Sequence, residues 1–291
     1  MPESVVEFSW TAWHGHPSVV IGLLALTCAY LLGVGPLRQR YGWADRVEAS
    51  QVTIFLTGIL ILFIALLSPI HELGDNYLFS AHMVQHLLLI SVVCPLLLLG
   101  TPAWLLRPML RHPRAMGVAR TLTLPVVAFV LFNLVFAFWH LPVLYDLALR
   151  QQGIHILEHL MFLGAGLIMW WPVLSPLPEL PRSPYLVQML YLFLQPTVPS
   201  ILGAIITFSE GTLYEWYAEA PRIWGISAHA DQQIGGLIMW IPGGLAFLLT
   251  MMVIFLIWAS KEEPQAQHNS IGLRPGGNLS YADDVTTKER S

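Results

Sequence analysis

The chain reads as an all-α polytopic membrane protein, a seven-transmembrane-helix bundle with its N-terminus outside and its C-terminus inside (N-out/C-in). Three features carry that reading. Of the 291 residues 55% are hydrophobic and 11% charged, with mean hydropathy +0.62, whereas a soluble domain carries about 25% charged residues. So much apolar surface needs lipid as its solvent, which argues against a soluble enzyme, a nucleic-acid binder or a disordered scaffold. Second, seven nearly charge-free stretches each reach the roughly 20 residues that cross a hydrocarbon core. Third, all of the 14 Lys and Arg except Arg150 and Arg222 fall on one side of those stretches, which by the positive-inside rule is the cytoplasm.

Helices are the spanning structure that satisfies every backbone polar group in lipid without strand alternation, and none is visible here. The first span covers about 17–36; no Lys or Arg precedes it, so it reads as an uncleaved helix rather than a signal peptide, and Arg38, Arg40 and Arg46 follow it. Spans at about 51–69 and 78–99 come next, then Arg107, Arg111, Arg114 and Arg120. The fourth (about 121–141) and fifth (about 154–174) precede Arg182; the sixth (about 184–206) holds Pro196 and Pro199. The seventh, about 231–259, has Gly235, Gly236, Gly243 and Gly244, which permit close helix approach. Residues 1–259 thus form one membrane domain, and the polar stretch 260–291 reads as a disordered cytoplasmic tail. Cys28 and Cys94 sit in apolar stretches without paired spacing, so no disulfide or thiolate metal site is expected.

The histidines carry the chemistry. Sorted by this topology, nine of the 11 lie outside: His14, His16, His71, His82, His86, His140, His155, His159 and His229, with only His112 and His268 inside. His82-x-x-x-His86 and His155-x-x-x-His159 share one spacing, and residues i and i+4 project from the same helix face. Both pairs open spans running outside to inside, so at 1.5 Å per residue they lie at similar depth, within about 10 Å of the outer boundary. Two helices can thereby offer four imidazoles to one point, with His140 at the same level. Glu158 lies inside the second pair; a carboxylate there needs a partner, and can orient an imidazole or neutralise a cation. Met83 is a soft thioether candidate, while His71 and Asp231 are candidates for shaping the entry. A single such pair is also at home as a polar contact at a helix end, Met83 as packing, and His14, His16 and His229 as surface residues.

Imidazole suits copper, zinc, iron and nickel, and a methionine neighbour tilts the choice towards Cu(I). Haem competes, since helix bundles hold it between two histidines, although i,i+4 pairs are too close to serve stacked haems. No phosphate-binding loop, nucleophile motif or basic groove is visible, so no enzyme activity and no nucleic-acid partner are expected.

His82-Met83-Val84-Gln85-His86, Phe138-Trp139-His140-Leu141-Pro142, His155-Ile156-Leu157-Glu158-His159 and Asp231-Gln232-Gln233, in that order, resemble the CtaG family of polytopic assembly factors for caa-type cytochrome c oxidase. The resemblance covers about residues 15–260. It implies a bacterial inner-membrane protein that matures a haem-copper oxidase by helping copper reach the catalytic subunit, with periplasmic copper chaperones as further partners. The metal-ligand candidates are then His82, His86, His155 and His159, with His140 as an exchange ligand. A haem-bearing redox protein and a metal-free oxidase scaffold are the competing expectations.

Overall fold

A computed structural model of the chain describes Phe8, Trp10 and residues 17–272, the last ten as backbone only. Trp13, His14, His16 and residues 273–291 lie outside the described residues. Proline and glycine punctuate what is otherwise helix. In α1 (Pro17–Tyr41) Pro36 has no N–H to donate, and the backbone loosens into a π-turn over Gly33–Leu37. Helix α2 (Ala49–Leu67) ends where Ser68 turns extended ahead of Pro69; the Ser68 hydroxyl then accepts from Ile70 N at 3.2 Å and starts the short α3 (Pro69–Asn76). Helix α4 (Phe79–Gly100) carries a second π-turn, Leu89–Val93. There Pro95 offers the Ile90 carbonyl no N–H, and the Trp170 indole donates to it instead at 2.7 Å.

After the single turn α5 (Ala103–Leu106) come α6 (Pro113–Leu122) and α7 (Pro125–Trp139), bent by 73°. The short α8 (Pro142–Arg150) leads into α9 (Gln152–Leu174). Helix α10 (Tyr185–Thr207) breaks at Gln195 and Pro196, and α11 (Glu215–Glu219) precedes the long α12 (Ala228–Gly272). Among the described residues there is no strand.

Six of these helices, α1, α2, α4, α9, α10 and α12, are long and apolar enough to cross a membrane. The fourth expected span is different: 121–141 is not one straight helix, because Leu124 is extended ahead of Pro125 and splits it. What remains, α7, has 15 residues, about 22 Å of rise against a hydrocarbon core of about 30 Å. The backbone of α12 runs on past Ser260, where the polar stretch begins, to Gly272. Cys28 and Cys94 are both free.

Apolar side chains face outward as well as inward: Leu134, Leu186, Phe193 and Leu256 are exposed, as lipid contact requires. The interior is held by close approach. A Cβ at Gly203 of α10 would stand 2.7 Å from the Gly236 carbonyl of α12, so only glycine lets these two helices touch at that crossing.

Candidate metal centre

One end of the bundle collects the chemistry. There α4, α9 and α12 begin and α7 ends, and the short helices α3, α8 and α11 close over them. Arg107, Arg111 and Arg114 follow the far end of α4, and Arg182 the far end of α9.

The start of α4 is fixed from a distance in sequence. Asp231 of α12 accepts from Phe79 N at 2.6 Å, from Ser80 N at 3.2 Å and from the Ser80 hydroxyl, satisfying donors that the first turn leaves open. Asp231 therefore caps α4 beside the site. From this anchored turn, His82 and His86 face inward with their Nε2 atoms 2.9 Å apart. The α9 pair faces them: ring centroids stand 5.5 Å apart for His82 and His155, 6.1 Å for His82 and His159, and 5.4 Å for His86 and His159. His71 of α3 stacks on His155 at 5.9 Å, and His140, just past α7, lies 6.4 Å from His86. Six imidazoles from four chain segments share one region.

Gly74 admits α3 to this group. A Cβ there would lie 3.1 Å from both the nitrogen and the Cα of His82; its absence lets α3 rest on α4 and brings in a residue the sequence reading overlooked. Asp75 reaches three imidazoles: His71 Nε2 at 3.3 Å and His155 Nδ1 at 3.5 Å from one oxygen, and His82 Nδ1 at 3.4 Å from the other. Burial alone would push its carboxyl up; the imidazoles of His155, His82 and His71 more than offset this and hold it below the ordinary carboxylate range. Glu158, buried on the opposite flank, lies 3.9 Å from His86 Nε2.

Second contacts orient the rings. The Gln85 amide donates to His71 Nδ1 at 3.1 Å and to His159 Nε2 at 3.5 Å. His140 Nδ1 donates to the Phe136 carbonyl at 2.7 Å, which fixes its tautomer and leaves Nε2 as a lone pair. That Nε2, with His86 Nδ1 and Glu158 Oε1, is buried without a hydrogen-bond partner among the described residues. A buried acceptor left bare is costly in a purely structural role, and its lone pair is what a cation uses. Two triads, His82 with His155 and His159, and His82 with His86 and Glu158, bring their ligand atoms within 4.8 Å of one another. Met83 lines a small cavity of about 40 Å³ together with His86, His140 and Met239.

His71, His82, His86, His140, His155, His159 and Glu158 thus meet as the sequence suggests, while His229 bonds Ser209 O at 2.9 Å and His112 caps α6. Asp75 and Gln85 were missed. The signal for Asp75 was present: it stands at i+4 from His71, the spacing of the two histidine pairs.

Residues 28–261 match the model of the Caa3_CtaG family, described as cytochrome c oxidase caa3 assembly factor. The chain belongs to this family. Every residue of the cluster lies inside the matched stretch. An uncharacterized protein of Mycobacterium leprae is 26% identical over 302 residues, covering 97% of this chain and 44% of that protein. Uncharacterized proteins of Mycobacterium bovis and Mycobacterium tuberculosis are each 25% identical over 290 residues, covering 94% of this chain and 43% of theirs. The Caa3_CtaG chain therefore spans less than half the length of these curated relatives. No solved structure matches it.

Proposed function

We propose that this chain is a multi-pass assembly factor of the bacterial inner membrane that takes up copper, as Cu(I), at the imidazole cluster and passes it to the catalytic subunit of a haem-copper cytochrome c oxidase. Copper is its cargo, and the chain acts as carrier rather than catalyst. The observation that carries this reading is the convergence of six imidazoles and two carboxylates at one end of a membrane bundle whose family is that of oxidase assembly factors. Imidazole is a good copper ligand, and rings packed 4.4 to 6.4 Å apart suit a small ion better than a planar macrocycle. More donors than one ion uses also suit a site that must release what it holds.

The basic residues favour seven spans with the cluster on the periplasmic side, since Arg and Lys gather at the opposite end. Copper then enters from the periplasm, from a soluble chaperone, and leaves sideways to the oxidase subunit in the same bilayer.

Elemental analysis and an optical spectrum of the purified protein test the reading. Bound copper is expected, and His82→Ala or His159→Ala should lower copper content and cellular oxidase activity together. A Soret band that shifts on reduction would point to a haem protein instead, and a metal-free protein that still supports the oxidase would point to a scaffold.

A further inference from the structure

We propose that the cluster holds two metal ions side by side, with His82 as the ligand between them; this rests on the copper-binding reading above. The two ring nitrogens of His82 face different donor sets. Its Nδ1 lies 3.4 Å from Asp75 Oδ1, on the flank where Asp75 also meets His155 and His71. Its Nε2 lies 2.9 Å from His86 Nε2, on the flank where His86 meets Glu158. The two ligand triads overlap only at His82.

Donor number and charge agree with this division. An ion bound by nitrogen and oxygen ligands commonly takes about four of them. Six imidazoles and two carboxylates are twice that supply. One carboxylate stands on each flank, so each ion has its own anion to offset its charge in a buried setting, where an unbalanced cation is costly.

The first position is held by His155, His159 and Asp75, with His71 orienting Asp75. The second is held by His86 and Glu158, with the bare His140 Nε2 close by. The second position also adjoins the 40 Å³ cavity lined by Met83 and Met239, so the softer surroundings lie on that side. When both positions fill, His82 binds through both nitrogens and its ring proton passes to bulk solvent, because a metal at a ring nitrogen displaces the proton there.

The test is metal stoichiometry on the full chain in detergent, titrated anaerobically with Cu(I) against a competing chelator. Two ions per chain are expected for the native sequence. His86→Ala combined with Glu158→Gln should retain one, and Asp75→Asn combined with His155→Ala should retain the other. One ion per chain in the native protein overturns the two-ion inference and leaves copper binding intact; none overturns both. Should the double variants fail to fold, the Cu(II)-loaded native protein still decides. A magnetically coupled pair in its electron paramagnetic resonance spectrum supports the inference, and an isolated single-ion signal at saturation overturns it.

Discussion

Replacing Gly74 by alanine tests the packing that builds the cluster. The added Cβ would stand 3.1 Å from the nitrogen and Cα of His82 and 3.3 Å from Gln85 Oε1. The first two atoms belong to the backbone of α4 and give way only if one helix slides from the other. Overpacking of this kind costs about 1–3 kcal/mol, while alanine in place of glycine within a helix returns up to about 1 kcal/mol. The hydrogen bond from Tyr217 to the Gly74 carbonyl, 2.6 Å, is strained by the same slide. The expected net loss is up to about 3 kcal/mol. Gly117→Ala is the matched control, because nothing lies within 4 Å of its Cβ on the helix α6; it should be neutral or slightly stabilising. Both variants would be compared by thermal unfolding in detergent and by chelator competition for copper. A slide of a few tenths of an ångström also carries Asp75 and His71 out of register with the α4 and α9 imidazoles, so Gly74→Ala should weaken copper binding by about tenfold or more. If it matched Gly117→Ala in both stability and affinity, the claim that α3 is seated through Gly74 would be wrong.

Two further substitutions separate roles within the site. Asp75→Asn keeps the shape and removes the charge shared by three imidazoles, and should lower copper affinity by about 10–100-fold. Because the Asp75 carboxyl is held low in the folded chain, the stability it contributes is present above the unfolded-state value near pH 4 and is lost as the pH falls further. The stability gap between native and Asp75→Asn protein should therefore be full at neutral pH and shrink in acid below about pH 4, as unfolding midpoints across that range would reveal. Asp231→Ala strips the cap from α4 and should cost about 0.5–2 kcal/mol, yet it should leave the number of copper ions bound at saturation unchanged; a lost ion would make Asp231 a ligand after all.

Much of the site is legible in the sequence alone. The two i,i+4 histidine pairs name their own helix faces, because a 3.6-residue repeat puts such residues together whatever surrounds them. Glu158 came with its pair for the same reason. Asp75 was harder: its role depends on α3 folding back onto α4, and the residue that allows this, Gly74, looks in sequence like any other glycine. Asp231 shows the same limit from another side. It opens the motif Asp231-Gln232-Gln233, and its carboxylate is taken up by the backbone donors of α4, a demand that appears only when α12 and α4 are placed side by side.

Composition and charge placement by themselves determined that the chain belongs in lipid, that it is built of helices, and where the six long helices lie, because without strand alternation a helix is what satisfies the backbone in hydrocarbon. They also marked the imidazoles, since spacing along a helix is a local property. Tertiary structure alone decided that α7 is a short helix bent away from α6, that Asp75 joins three rings while Asp231 joins none, and that His82 faces two donor sets with its two nitrogens. Those outcomes depend on which helices touch and at what depth, and contacts such as Asp75 with His155 or Asp231 with Phe79 join separate helices, so packing sets them rather than any local repeat.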